Sequence, residues 1–215
     1  MKIRWLGHSA FLIASDSGIR IITDPFDPAA YADSLTYPEI NEAAGIVTIS
    51  HAHSDHSWSK GIQGTPAVIS TAGEHEARGA KVTGIKSFHD DSKGSQRGHN
   101  IMFVIEVDDM RLIHCGDLGH ILSDDLIERI GKVNVMLVPV GGSYTIDAAV
   151  ASDLVEKLKP NIAIPMHYQT QRCQFPIAPV EEFLRHKIQV KKIPEAAVAA
   201  DSLPQPTEIW VLEHP

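Results

Sequence analysis

The sequence predicts an α+β fold in which two β-sheets pack as a sandwich with helices outside. Three observations carry that expectation. Short apolar runs rich in β-branched residues recur along the chain between turn-forming clusters. One of them, 133–140, is nearly continuous in its apolar character, as expected of a strand covered on both faces. The segment 145–159 instead spaces Ala151, Leu154, Val155 and Leu158 as one face of a helix, and Pro160 closes it.

Taken in order, 3–14 and 19–23 read as two strands joined through Ser15-Asp16-Ser17-Gly18, a run with turn chemistry. Residues 27–42 hold two prolines and little periodicity, and read as a long loop. A strand over 46–49 follows, then a short one over 67–70 after Pro66. The segments 101–107 and 110–115 make a hairpin about Asp108-Asp109, and 162–166 is a strand that ends at His167. Residues 195–206 carry several alanines and two prolines; they wrap the surface before a final strand over 208–212. No repeat or linker divides the chain, so residues 1–215 read as a single domain.

At 215 residues, with 43% hydrophobic and 21% charged side chains, the chain can bury a substantial core without staples. Its formal charge of −8 and the lack of any Lys/Arg-rich run weigh against a nucleic-acid partner. Cys115 and Cys173, the two cysteines, are too few for a disulfide framework, and Cys115 reads as a buried strand thiol. Gly7, His8 and Ser9 interrupt the first apolar run, and no stretch approaches the ~18 apolar residues that a membrane span needs. The expectation is a cytoplasmic protein acting on a small molecule, with no membrane association and no oligomeric state legible.

The most informative segment is His51-Ala52-His53-Ser54-Asp55-His56, which follows the strand over 46–49. In an extended segment, residues i and i+2 project to the same side, so His51 and His53 can hold one ion together. Asp55 and His56 fall where the chain turns and can point at a second ion. Imidazole suits zinc, iron and nickel, and a carboxylate also accommodates harder ions such as manganese.

That run resembles the hallmark motif of the metallo-β-lactamase superfamily, whose members build a one- or two-metal site on an αββα four-layer sandwich. Further motifs follow in the family's order: Ser87-Phe88-His89-Asp90, Cys115-Gly116-Asp117 and Pro165-Met166-His167-Tyr168. The opening Trp5-Leu6-Gly7-His8-Ser9-Ala10-Phe11-Leu12-Ile13, with Thr23-Asp24-Pro25-Phe26, is similar to the branch containing ascorbate-phosphate lactonases. The resemblance implies that His51, His53 and His89 hold one divalent ion, that Asp55, His56 and His167 hold another, and that Asp117 bridges them. Zinc ranks ahead of manganese for both.

It also implies a metal-dependent hydrolase in which a metal-bridging hydroxide, oriented by Asp55, attacks a small anionic ester such as a phosphoester or lactone. His120, three residues after Asp117, is the candidate general acid for the leaving group, with a role beneath the site as the alternative. Asp24 resembles a residue that orients a ligand imidazole, or else starts an Asp-Pro turn. His8 either lines the pocket or packs under the metals. The turn Gly141-Gly142-Ser143-Tyr144 could receive an anion on its N–H groups, or be a plain strand-to-helix turn. Three other readings compete: a nuclease of the RNA-processing type, a di-iron oxidoreductase, and a non-catalytic metal-binding domain. A di-iron oxidoreductase of this family typically has glutamate where this chain has His53, and a flavin domain for which there is no length here.

Overall fold

Strands with apolar side chains on both faces set the architecture of the computed structural model, which describes residues 1–31 and 33–215. One sheet contains β1 (Lys2–Gly7), β2 (Ala10–Ala14), β3 (Arg20–Thr23), β4 (Ile46–Thr48) and β5 (Ala67–Ile69). The second contains β6 (Gly73–Ala77), β7 (Ala80–Phe88), β8 (His99–Val107), β9 (Met110–His114), β10 (Val135–Pro139), β11 (Ile162–Met166), β12 (Val190–Ile193) and β14 (Glu208–Leu212). The short β13 (Ala196–Ala197) returns to the first sheet, giving the orders β13-β1-β2-β3-β4-β5 and β12-β14-β11-β10-β9-β8-β7-β6. Each sheet is antiparallel in its hairpins, and in the β13–β1 pair of the first, and parallel over β3-β4-β5 in one and β9-β10-β11-β14-β12 in the other.

Side-chain alternation shows how the layers form. Ile3, Trp5, Phe11, Ile13, Ile21 and Ile46 face the second sheet and share one core with Val82, Phe103, Ile105 and Leu112. Their neighbours Leu6, Leu12, Ile22 and Val47 face the other way, beneath Phe26, Leu35, Tyr37 and Ile40. The expected sandwich is present, but that outer layer is loop: its covering residues come from the Pro-containing connection between β3 and β4, which lacks helical periodicity. Helices cover the second sheet, where α2 (Ala148–Leu158) packs on β10 and against α3 (Val180–Leu184). Ile130, at the end of α1 (Asp124–Ile130), reaches the same core.

Several boundaries differ from the sequence reading for identifiable reasons. The run 3–14 is two strands, because Gly7 (φ 113°) and His8 (φ 53°) reverse the chain and pair β1 antiparallel with β2. Helix α2 starts at Ala148, since the Asp147 carboxylate accepts from the N–H groups of Ala149 and Val150 and so caps it there. Its buried face is nevertheless the predicted Ala151, Leu154, Val155 and Leu158. Strands β6 and β12 occupy the two edges of their sheet and carry Glu74, Glu76, Lys191 and Lys192, charges that guard an edge but hide the strand pattern. Helix α1 has its signals in place, with Ser123 accepting from Leu126 N–H and Gly131 ending it, but one fully buried residue leaves no periodic face to read.

No helix among the described residues is long and apolar enough to cross a membrane. Phe103 is fully buried between the sheets, so Phe103→Ala should lower the unfolding free energy by about 3–5 kcal/mol. Lys86→Ala, on an exposed position of β7, should change it by less than about 0.5 kcal/mol in the same urea titration.

Candidate metal centre

The predicted histidines and aspartates come from loops at one end of the sandwich, mostly beyond the carboxyl ends of strands, where α/β sheets usually bind ligands. After β4 the chain bends at Ser50 rather than continuing as an extended strand, and His56 N–H closes a turn on the His53 carbonyl at 3.0 Å. The two rings still converge, with His51 Nε2 3.0 Å from His53 Nδ1. His89 follows β7, Asp117 follows β9 and His167 follows β11.

Three groups of side chains offer ligand atoms lying within 4.8 Å of one another: His51, His53 and His89; His8, Asp55, His56 and His167; and Asp24 with His51 and His56. Asp117 stands between the first two. Its Oδ2 lies 3.2 Å from His89 Nε2, 3.3 Å from His56 Nε2, 3.4 Å from His167 Nε2 and 3.8 Å from His51 Nε2. All seven residues expected at the metals are therefore brought together, and His8 joins them from the β1–β2 turn.

Outer hydrogen bonds fix which nitrogen of His51, His56 and His89 faces inward. Asp24, fully buried, accepts from Ser50 N–H at 2.8 Å, from the Ser50 hydroxyl, and from His56 Nδ1 at 2.9 Å. His51 Nδ1 in turn donates to Ser50 Oγ at 2.9 Å, so one carboxylate orients two imidazoles. His89 Nδ1 donates to the Tyr144 carbonyl at 3.0 Å, leaving Nε2 free toward Asp117. The turn holding Tyr144 uses the N–H groups of Gly142, Tyr144 and Thr145 on its own backbone carbonyls, which makes it a plain turn rather than an anion site. Asn100 holds Asp117 by accepting its N–H at 3.0 Å and donating to the Cys115 carbonyl at 2.9 Å. Cys115 is a buried free thiol, as its position after an apolar strand suggests, and burial raises its pKa.

The site fits metal ions on its own chemistry. His8 Nδ1 and Nε2, His56 Nε2, His167 Nδ1 and Asp117 Oδ1 are buried with no hydrogen-bond partner, a costly arrangement unless cations engage such donors and acceptors. Burial pushes His51 down to about 3, aided by charge on His56, so its ring is in the neutral, ligating form. Burial likewise brings His8 down to about 4, with His167 contributing. Burial opposes charge on Asp117 and Asp55, yet His167 and His56 beside the first and His56 beside the second hold both below the usual carboxylate range.

His53, Asp55, His89, Asp117 and His167 line a cavity of about 340 Å³. Tyr31, Tyr144 and Phe175 also line it, with Gln96 and Arg97. Apart from Tyr144, which lies in the turn singled out above, these further lining residues are ones the sequence reading misses, because they lie on loops with no motif of their own. Arg97 is carried by a loop that the Asp90 carboxylate organises, accepting from the N–H groups of Ser92, Gly94, Gln96 and Arg97 at 2.7–3.0 Å. The candidate acid His120 is not brought to this cavity. Its ring lies against Phe88, Nδ1 meets the Ile121 carbonyl at 2.9 Å, and it lines a separate pocket with Val150 and Leu154. Proximity to Asp117 in sequence does not carry over, because Gly119 passes directly over the His89 backbone and turns the following residue away.

Two outcomes follow. In Asp24→Asn the amide would donate to His56 Nδ1 and move that ring's proton to Nε2. Metal affinity of the metal-free protein should then fall about 10–100-fold in a chelator-competition titration, with the fold retained. Asp90 is desolvated, which raises its pKa, but the four N–H bonds outweigh this and bring it down to about 2. Its stabilising contribution is therefore complete above the unfolded value of about 3.9 and disappears as pH falls toward 2. Urea unfolding measured across that window should be flatter with pH in Asp90→Asn than in the parent.

Comparison with known proteins agrees with this geometry. A family model described as the β-lactamase superfamily domain matches residues 2–167. Over 198 residues, 79% of this chain and 85% of the relative, the chain is 31% identical to a UPF0173 metal-dependent hydrolase of Thermococcus onnurineus. A UPF0173 metal-dependent hydrolase of Pyrococcus horikoshii is 30% identical with the same coverage of both chains. A crystal structure from Thermotoga maritima, described as a Zn-dependent hydrolase of the metallo-β-lactamase superfamily, matches with a TM-score of 0.82 and 34% identity over 100% of this chain and 99% of that one. The buried histidine–aspartate centre at the mouth of a two-sheet sandwich thus belongs to a member of the metallo-β-lactamase superfamily, in its UPF0173 family of metal-dependent hydrolases.

Proposed function

We propose that this centre hydrolyses a small anionic ester, a phosphoester or a lactone, using two divalent ions with zinc ahead of manganese. The observation that carries the anionic choice is Arg97. Its guanidinium lies 5.3 Å from the Tyr144 ring, in the same cavity as Asp55 and Asp117. It is the one cationic side chain of Lys or Arg type among the residues lining that cavity, while both carboxylates there are turned toward the histidines. A cavity of about 340 Å³ suits a small molecule better than a polynucleotide. The N-terminal likeness to ascorbate-phosphate lactonases makes a phosphorylated lactone one candidate within this class.

The bound ions would supply Lewis acidity and a water activated near neutral pH. His51, His53 and His89 would hold one ion, and Asp55, His56 and His167 the other, with Asp117 between them. Asp55 lines the cavity and stays ionised, so its carboxylate can accept a hydrogen bond from the attacking water and hold that water's lone pair toward the substrate. Arg97 and Gln96 would bind the substrate's anionic group, and Tyr31, Tyr144 and Phe175 would exclude bulk water around it. His120 takes no part in this scheme, since it opens on a different pocket.

Steady-state kinetics on matched esters, with and without a phosphate or carboxylate, provide the test. Arg97→Gln should raise KM for the anionic ester by about tenfold or more, the scale of one charge-assisted hydrogen bond, and leave the neutral ester within about twofold. His120→Ala serves as the control and should leave both substrates unchanged. Equal losses on charged and neutral esters in Arg97→Gln would end the case for an anion-binding role.

A further inference from the structure

We propose that His8 is itself a metal ligand, so that the two ion positions are unequal: the more buried one has a protein ligand more than the other. The inference rests on reading the cluster as a metal centre and extends it to a residue of the opening segment, to which the resemblance assigns no metal.

The backbone holds His8 in an unusual conformation. With φ at 53° it sits in the left-handed region, next to Gly7 at φ 113°, in a two-residue connection where the β1–β2 register shifts. That conformation costs a non-glycine residue on the order of 1 kcal/mol and persists only where the surroundings enforce it. They do. The His8 carbonyl accepts from Trp5 Nε1 at 2.9 Å and from His167 N–H at 3.3 Å, and the Ser9 carbonyl accepts from His114 Nε2 at 2.9 Å. Both sheets therefore clamp the turn, and the effect is to aim the His8 ring at His167, 4.2 Å away between centroids, and at His56, 5.1 Å away.

Neither ring nitrogen of His8 has a hydrogen-bond partner, although the residue is only 1% exposed. Nε2 lies 3.2 Å from Asp55 Oδ2 without a hydrogen bond between them. His114 supplies the contrast. It is equally buried and close by, yet Nε2 donates to Ser9 and Nδ1 accepts from Gly116 N–H, which is how a histidine with a purely structural role is satisfied. An imidazole with both nitrogens unpartnered, placed with another two imidazoles and a carboxylate whose ligand atoms lie within 4.8 Å of one another, has the environment of a ligand.

Burial separates the two positions. His8, Asp55, His56 and His167 are all buried, whereas in the other group His53 is exposed and His51 only partly covered. With Asp117 shared between the positions, His8 would give the buried one a protein donor more than the other, and so less room for substrate. Three histidines and Asp117 would hold the other, whose exposed His53 leaves it the more accessible. On this assignment the ion at His51, His53 and His89 meets the substrate, and the ion at His8 holds Asp55 and His56 in place.

The test is titration of metal-free protein with Zn²⁺ against a competing chelator, for the parent, His8→Asn and His8→Ala. Asparagine tolerates the left-handed turn and can donate to Asp55, but it is a poor zinc ligand. The parent should bind two ions. Both variants should keep one at parental affinity and lose at least about 100-fold on the other, more than removal of a partner behind a ligand typically costs. Parental affinity for both ions in His8→Asn, whatever His8→Ala does, would show that His8 only supports Asp55 and overturn the proposal. A parent that binds no ion would instead refute the metal-centre reading on which it rests. Should the variants fail to fold, parental protein with ¹⁵N-labelled histidine and ¹¹³Cd²⁺ gives the answer directly: a cadmium–nitrogen coupling at His8 is expected, and its absence with couplings at His56 and His167 would overturn the assignment.

Discussion

The rest of the molecule is organised around one buried carboxylate, Asp117, whose Oδ2 faces four imidazole nitrogens at 3.2–3.8 Å. A charge that is 2% exposed is costly unless opposite charges or ions surround it, and so many basic groups are equally costly without it. The arrangement is tolerable only if all of these groups arrive together from separate loops. Each is held by a bond to a neighbouring element: Asp24 to Ser50 and His56, Asn100 to Asp117, and the Tyr144 carbonyl to His89.

Close approach of backbone to backbone is the second requirement, and two glycines meet it. A Cβ at Gly119 would lie 2.3 Å from the His89 carbonyl carbon, and one at Gly141 would lie 2.3 Å from the His167 carbonyl oxygen. Neither position needs a positive φ; each needs the missing side chain. The loops after β9 and β10 thus pass directly against the loops that present the two distal histidines. Packing, rather than metal chemistry, dictates those residues, although they decide whether His89 and His167 reach the centre.

Rigidity below and variety above divide the labour of the site. The histidines and aspartates are set on strand ends that share the apolar core, so their geometry is inherited from the sandwich. The cavity walls come from four connections: the loop after β3 with Tyr31, the Asp90-organised loop with Gln96 and Arg97, the loop after β10 with Tyr144, and the loop after β11 with Phe175. Substitution on those loops changes what the cavity admits without disturbing the centre, which is how one fold comes to serve many substrates.

The sequence by itself determined the α+β sandwich and the identity of the residues that converge. The first is written in local patterns, β-branched apolar runs and the face of α2; the second lies in the His51–His56 run, whose resemblance to the superfamily motif implies its three downstream partners. It did not determine the β1–β2 reversal at His8, the edge strands β6 and β12, or the helix α1. In those places an apolar run continues through a turn, charges guard an edge, or too few residues are buried to make a period. Only the tertiary structure decided that His8 faces the centre while His120, nearer to Asp117 in sequence, faces away. It also decided that Arg97 stands in the cavity wall. Such placements depend on backbone turns and on contacts between residues far apart in the chain, such as His8 with His167 and Asp24 with His56, and no local pattern encodes those directions.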